Sequence, residues 1–373
     1  MTDKIKILHI VDSFNIGGME NILASLINES SLTDFHHTIC CIKTSGAAAA
    51  RLASPVTIHE LRKKEGQSWF FFRHLTKVLR EENPDIVHTR SWGTTDGIIA
   101  ARLARIPVVI HGEHGWSFED PYGKNRKRLL IRRALSPFVT HYIAISDDIK
   151  QWLQGSVGIN ENRITTIING VDVNKFSPRK QTINRRQFPD VGDQIVIGAV
   201  GRLDPIKRYD LLVEAFSQLD HAKHNLKLII AGDGSERHNL ETRIRSLPFG
   251  NRITLLGECR NVHDIYREMS LFIQSSQNEG ISNTVLEAMA SGLPVIGTAV
   301  GGNPQLISNG RTGILIPPNS SHAIREAITF YLDHPETIIF HGRNSREAAK
   351  TRFSLSRMVK NYQDLYRMLY SRH

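Results

Sequence analysis

What this chain lacks narrows it first. Cysteine is scarce: three in 373 residues, two of them adjacent at Cys40 and Cys41. That number and spacing suit neither a disulfide framework nor a zinc cluster, so a reducing, cytoplasmic setting is the expectation. Long apolar runs are missing as well, and none approaches the ~20 residues a bilayer-spanning helix needs. The N-terminal run Ile7–Val11 is short, broken by His9 and followed at once by Asp12. It reads as a buried strand, not a signal peptide. No Asp-x-Asp pair occurs, so no metal is expected on a nucleotide diphosphate. A Walker motif and a Gly-x-Ser-x-Gly elbow are also absent, and no cofactor is expected.

What is present is basic. The formal net charge is +10, which admits nucleic acid, an anionic membrane surface or an anionic ligand as partner. The sharpest cluster is Lys124, Arg126, Lys127, Arg128, Arg132 and Arg133, with no acid among them. Trp116, Phe118 and the apolar Leu129-Leu130-Ile131 lie in or beside it. It reads as a solvated helix face or as a patch that meets anionic lipid. Nucleic acid is not expected, because interleaved aromatics and any recognised module are missing.

Short Ile- and Val-rich strands alternate with amphipathic helices. The first half has strands at Lys6–Val11, Thr38–Ile42, Ile86–Thr89, Val108–His111, Tyr142–Ile145 and Ile164–Ile168. Helices fall at Glu20–Asn28, Trp69–Glu81, Asp96–Arg105 and Asp147–Leu153. Residues 173–194 are polar, without periodicity, and read as a linker. The alternation then restarts with strands at Ile195–Val200, Leu226–Ala231, Ile253–Leu256, Leu271–Gln274, Pro294–Gly297 and Gly313–Ile316. After Pro335 the chain reads as helical. The fold class is α/β: two doubly wound domains, 1–175 and 190–353, each a parallel sheet covered on both faces, with a cleft between them.

Three segments could carry chemistry. Gly17-Gly18 sits between a strand and a helix, where the backbone could approach an anion closely, or where a plain tight turn is needed. Gly201-Arg202-Leu203-Asp204-Pro205-Ile206-Lys207 ends a strand in glycine and then supplies two cations, able to hold a diphosphate and the charge that grows on it as it leaves. Glu279-Gly280-Ile281-Ser282-Asn283-Thr284 leads through Glu287 to Ala288-Met289-Ala290-Ser291-Gly292-Leu293-Pro294. Its two carboxylates suit a ligand rich in hydroxyls, the helix start would offer amides to phosphates, and Asn283 is placed to cap that helix. His114 lies just past a strand end beside His111 and Glu113.

These strings, with Asn169-Gly170-Val171-Asp172 and Ala231-Gly232-Asp233-Gly234, stand in the order of family 4 of the retaining glycosyltransferases, and the resemblance covers essentially the whole chain. The wording Gly112-Glu113-His114-Gly115, Gly280–Thr284 and Gly301-Gly302-Asn303-Pro304 resembles the sugar transferases of exopolysaccharide and PEP-CTERM loci. The resemblance implies a GT-B fold, a UDP-linked sugar donor, retention at the anomeric carbon and no metal. It implies that Arg202 and Lys207 grip the diphosphate. Backbone around Ile281, Ser282, Asn283 and Thr284 meets it as well, with Gly17 and Gly18 approaching from the other domain. Gly201 and Asp233 fall within donor-binding strings. Glu287 would take the ribose, Glu279 the transferred sugar, and Cys259 and Arg260 the base. His114 matches the family's sugar-contacting histidine, and His114, Glu279, Arg202 and Lys207 form the implied catalytic set. The last helix, about 354–373, would return to the N-terminal domain. Ser282 and Asn283 depart from the family's usual apolar residues in that loop, so the resemblance does not fix the sugar-facing contacts or the donor sugar.

The expected acceptor is a glycan or a polyprenyl-linked glycan used in cell-surface biosynthesis, reached from the inner face of the plasma membrane. Two readings compete: a hydrolysing nucleotide-sugar epimerase of the same fold, and a basic nucleic-acid-binding protein.

Overall fold

Continuous β-branched runs bury both strand faces only when helices cover each side of a parallel sheet. The structure, a computed structural model, describes residues 4–15, 17–30, 34–64, 69–116, 120–178 and 194–373. Most of the expected linker, residues 179–193, lies outside the described residues. The chain divides into two units, Met1–Gly170 with Leu355–His373, and Val171–Ser354.

The first unit carries β1 (Ile5–Val11), β2 (Phe35–Cys41), β3 (Thr57–Glu60), β4 (Ile86–Arg90), β5 (Val108–Glu113), β6 (His141–Ala144) and β7 (Ile164–Thr166). They form one sheet in the order β3-β2-β1-β4-β5-β6-β7, every pair parallel. Its helices are α1 (Gly18–Ser30), α2 (Trp69–Glu82), α3 (Asp96–Leu103), α4 (Arg126–Leu135) and α5 (Asp147–Trp152). The second unit carries β8 (Ile195–Val200), β9 (Leu226–Ala231), β10 (Ile253–Gly257), β11 (Leu271–Gln274), β12 (Val295–Thr298) and β13 (Gly313–Ile316). They run parallel in the order β10-β9-β8-β11-β12-β13. With them go α6 (Tyr209–Ser217), α7 (Arg237–Ser246), α8 (Val262–Glu268), α9 (Asn283–Ala290), α10 (Asn303–Leu306), α11 (Ser321–Asp333) and α12 (Glu336–Arg352). The last helix, α13 (Leu355–Tyr370), belongs to the first unit.

The strand β3 escapes the sequence reading because Thr57–Glu60 is a half-exposed edge strand with no apolar run. The place of α13 follows from its spacing. Met358, Val359, Tyr362, Leu365, Tyr366 and Leu369 recur at helical intervals on one buried stripe. That stripe packs with Ile5, Ile7, Ile86, Val108 and Ile110 of the sheet. Each such side chain stabilises by ~1.5–3 kcal/mol over remaining exposed.

In both sheets the strand order reverses, between β1 and β4 and between β8 and β11. Open α/β sheets gather ligands outside the carboxyl ends of the strands at this reversal. Gly17 and Gly18 follow β1, Gly201 follows β8, and Gln274 ends β11, with the segment from Ser275 to Glu279 after it.

Candidate functional site

In the second unit the polar groups collect at the ends of β8 and β11. Gly201 turns out of β8 with its amide on the Ala231 carbonyl at 2.9 Å. A Cβ at Gly232 would run into the Gly201 carbonyl oxygen, so only glycine lets the two strand ends lie so close. Lys207 then reaches across to Glu279, Nζ to Oε1 2.5 Å. The same carboxylate oxygen accepts from Gln274 Nε2 at 2.9 Å and Ser276 Oγ at 2.8 Å. Burial works to raise the Glu279 pKa, but the charge of Lys207 and the hydrogen bonds from Lys207, Ser276 and Gln274 win and hold it below the usual carboxylate range.

That carboxylate is braced from behind. Gln274 Oε1 accepts from Thr298 Oγ1 at 3.1 Å and from Asn303 Nδ2 at 2.8 Å, which fixes the amide so that its NH₂ faces Glu279. Gly301, at φ +50°, packs so tightly on the Glu279 carbonyl that any Cβ there would collide with it. Gly302 donates its amide to the Gly280 carbonyl at 2.8 Å. Gln274, Ser276, Thr298 and Asn303 were missed by the sequence reading. The Gly301-Gly302-Asn303-Pro304 string was the one signal pointing to them.

Helix α9 is capped by Ser282, not by Asn283 as the sequence suggested. Ser282 is extended (φ −83°, ψ 106°) and its hydroxyl accepts the Val285 amide, whereas Asn283 already lies inside the helix. Ser282 is buried and its hydroxyl also pairs with Thr284 Oγ1 at 3.1 Å. Ile281 is buried beside it, while Asn283 and Thr284 are half-buried. One turn on, Glu287 accepts from the buried Tyr266 hydroxyl at 2.8 Å. Burial first, and the charge of Glu287 second, push that phenol well above its ordinary pKa and keep it a donor.

The other expected donor-site residues are not gathered into this network. Arg202 is 81% exposed and pairs with Asp204 at 3.0 Å. Asp233 accepts its neighbour Gly234's amide and pairs with Arg237 at 3.1 Å. Cys259 is half-buried over the Gly257 carbonyl, and Arg260 is exposed.

In the first unit Gly17 and Gly18 make the turn into α1, Gly17 O accepting from the Asn21 amide at 3.0 Å. Ile16 between them and β1 lies outside the described residues. His114 follows β5, half-buried, with Nε2 enclosed and, among the described residues, without a partner. Burial, then the charge of Arg90, push its pKa down to about 3, so the ring is neutral at ordinary pH. His111 and Glu113 turn elsewhere. His111 Nδ1 lies 2.8 Å from Thr89 Oγ1. Glu113 is buried and accepts from Arg132 Nε at 2.6 Å. Burial alone would raise the Glu113 pKa, but His111 and Arg132 bring it to about 2.

This pairing divides the basic cluster. Arg132 points inward with its guanidinium between Trp92 and Trp152, 4.9 and 5.0 Å from the ring centroids. Arg133 donates to the Ser156 carbonyl. The outward face of α4 carries Arg126 and Lys127 with Leu130 and Ile131, 63% and 44% exposed. Phe118, expected to flank the patch, lies outside the described residues. Among the described residues no helix is long and apolar enough to cross a membrane.

Two family models match this chain: "Glycosyltransferase Family 4" over residues 16–175 and "Glycosyl transferases group 1" over 180–351. The UDP-Gal:alpha-D-GlcNAc-diphosphoundecaprenol alpha-1,3-galactosyltransferase of Escherichia coli is 30% identical over 304 residues, 78% of this chain and 77% of that protein. The putative glycosyltransferase EpsF of Bacillus subtilis is 26% identical over 78% of each chain. Among solved structures, Anabaena Alr3699/HepE in complex with UDP superposes with a TM-score of 0.80 at 21% identity, covering 97% of this chain and 99% of that one.

Proposed function

The chain belongs to the family 4 glycosyltransferases of GT-B fold, and from that premise we propose that it is a retaining enzyme. It transfers a sugar from a UDP-linked donor to a glycan or polyprenyl-linked acceptor in cell-surface polysaccharide synthesis. The observation that carries the reading is Glu279, an ionised carboxylate held by Lys207, Gln274 and Ser276 at the strand-order reversal of the second sheet. A carboxylate so fixed is built to accept hydrogen bonds from sugar hydroxyls. Its Lys207 partner supplies the positive charge a departing diphosphate requires. Arg202, exposed and paired only with Asp204 at the surface, completes the grip on phosphate. The amides of Ile281 to Asn283 meet the same group, and the Gly17-Gly18 turn of the first unit has a backbone form that suits an anion. Glu287, oriented by Tyr266, takes the ribose, and the backbone at Cys259 and Arg260 takes the base. His114 offers a neutral imidazole to the transferred sugar.

The acceptor half of the proposal rests on α4. Its outward Arg126, Lys127, Leu130 and Ile131 suit an enzyme working peripherally at the cytoplasmic membrane face, where a polyprenyl-linked substrate would be met. The Escherichia coli relative is named for a diphosphoundecaprenol acceptor.

The test is a panel of nucleotide sugars, followed by thermal shift. A donor that binds the folded state raises the unfolding temperature by mass action. We expect UDP-sugars to shift it and GDP-sugars not to. Turnover with the best donor and a polyprenyl-diphosphate sugar should persist in EDTA. Loss in EDTA that Mg²⁺ or Mn²⁺ restores refutes the metal-free mechanism. Conversion of the donor with no acceptor present would favour the epimerase reading.

A further inference from the structure

A row of imidazoles crosses the middle of the first sheet. His37 of β2, His9 of β1 and His88 of β4 are all buried, and Arg90 of β4 is buried among them, 3% exposed. Among the described residues Arg90 has no carboxylate as a hydrogen-bond acceptor. Its Nη1 donates to His9 Nδ1 at 3.0 Å and to the His88 carbonyl at 3.4 Å, and its Nη2 to His88 Nδ1 at 3.2 Å. A buried cation spent on imidazole nitrogens asks for an account, because each must be deprotonated to receive it.

We propose that Arg90 is a positioning residue that sets the tautomer of His114 through His88, so that His114 presents Nδ1–H to the transferred sugar. A guanidinium only donates. His88 Nδ1 is therefore bare, and it also accepts from the Tyr366 hydroxyl at 2.8 Å. The His88 proton must then sit on Nε2, which is buried and, among the described residues, without a partner. The same logic puts the His9 proton on Nε2, where it meets His37 Nδ1 at 2.9 Å. His88 Nε2 and His114 Nε2 converge on one small gap. A Cβ built on Gly112 would lie 3.2 Å from the first and 2.7 Å from the second, and Gly112 has none. Both nitrogens are shut away and unpaired among the described residues. A donor at His88 facing an enclosed His114 Nε2, directly or through one buried water, favours the bare Nε2. The His114 proton is left on Nδ1, the nitrogen that is not enclosed.

The charges around His114 act in the same direction. Burial and Arg90 lower its pKa most, His111 adds to them and Glu113 opposes, with about 3 as the result. Tyr366 and Tyr362 of α13 and, more weakly, Glu20 of α1 act on Arg90 against the effect of its burial. His114 is held neutral as well as oriented.

This inference rests on the sugar-contacting role proposed for His114, and the experiment separates the two. Long-range ¹H–¹⁵N spectra of the full chain with ¹⁵N-histidine, assigned with His114→Gln, report each ring's proton directly. We expect His114 protonated on Nδ1 and His88 on Nε2, neither titrating from about pH 5.5 to 8. A His114 proton on Nε2, or titration in that range, overturns the proposal whether or not any sugar is transferred. In Arg90→Met the charge of Arg90 is lost while burial, the larger cause, remains, so the His114 pKa should rise above about 3 yet stay below its ordinary ~6.5. The acid side of kcat/KM should then fall about tenfold per pH unit below the raised pKa, while the KM for donor stays near wild type. A folded Arg90→Met enzyme with the wild-type profile overturns it too. If that variant fails to fold, the wild-type spectra decide alone.

Discussion

Lys207 and Arg202 carry the same expected duty but stand in different surroundings, and substitution should tell them apart. Arg202 is 81% exposed with Asp204 as partner, and such surface pairs contribute ~0–1 kcal/mol. Arg202→Ala should leave urea stability within about 0.5 kcal/mol of wild type. Lys207 balances a carboxylate whose side chain is 12% exposed, and removing one partner of a buried pair costs ~3–5 kcal/mol, less here because Lys207 is partly open to water. Both variants should nevertheless lose ~2–4 kcal/mol of transition-state stabilisation, because the charge they meet grows as the diphosphate departs. Values of kcat/KM within about threefold of wild type for both would end the assignment. Acid adds a second signature. The folded pKa of Glu279 lies below its ordinary value. Its contribution is complete above the unfolded ~4.3 and is lost as pH falls through the folded value. Lys207→Ala removes the main cause of that depression, so the stability gap between variant and wild type should narrow on acidification below ~4.3.

At the scale of elements, α4 shows how a charge run can be two things at once. Arg132 is 11% exposed and holds Glu113, so replacing it would strip a buried carboxylate of its partner and confuse any membrane assay. The informative variant is Arg126→Gln, Lys127→Gln, Leu130→Ser and Ile131→Ser together. Each basic residue near an anionic surface contributes ~1 kcal/mol, and the apolar pair deepens the docking. We expect the wild type to sediment with anionic and not neutral vesicles, and the variant with neither. Equal sedimentation of the two proteins would leave α4 a solvated face. The sequence could not divide α4 this way, since the partners of Arg132 come from β5, from the turn after β4 and from α5. Strands whose apolar runs are continuous were legible to the residue: β8, β9, β11 and β13 match their expected bounds. The edge strand β3 has no such run. At the site, Lys207, Glu279 and Glu287 were legible from their segments. Gln274 and Asn303 were not, because their use depends on β11, β12 and α10 meeting in space.

For the whole molecule, the buried histidines make acid the discriminating stress. The first unit buries His9, His37, His88 and His141. All are depressed chiefly by burial, His37 to about 3 and His141 to about 4. The second unit buries His221 and His341, also depressed by burial. A histidine neutral in the fold and free to charge when unfolded lets the unfolded chain bind more protons, so stability rises with pH across the gap. Its contribution is complete above the ordinary ~6.5 and falls by ~1.4 kcal/mol per pH unit below that, until the folded pKa is reached. Counting His114, depressed to about 3 in the same unit, five such groups remove ~7 kcal/mol per pH unit from the first sheet's unit, and two remove ~3 from the second. Domain stabilities of ~5–15 kcal/mol cannot absorb the first slope for long. The first unit should therefore unfold near pH 5, ahead of the second. The chain's four tryptophans, Trp69, Trp92, Trp116 and Trp152, all lie in the first unit. Tryptophan fluorescence then reports that unit alone, while far-ultraviolet circular dichroism reports both. An acid titration in which fluorescence changes at a higher pH than the bulk of the dichroism fits this account. Coincident transitions, or a fluorescence change that follows the dichroism, would mean that the buried imidazoles do not govern acid stability.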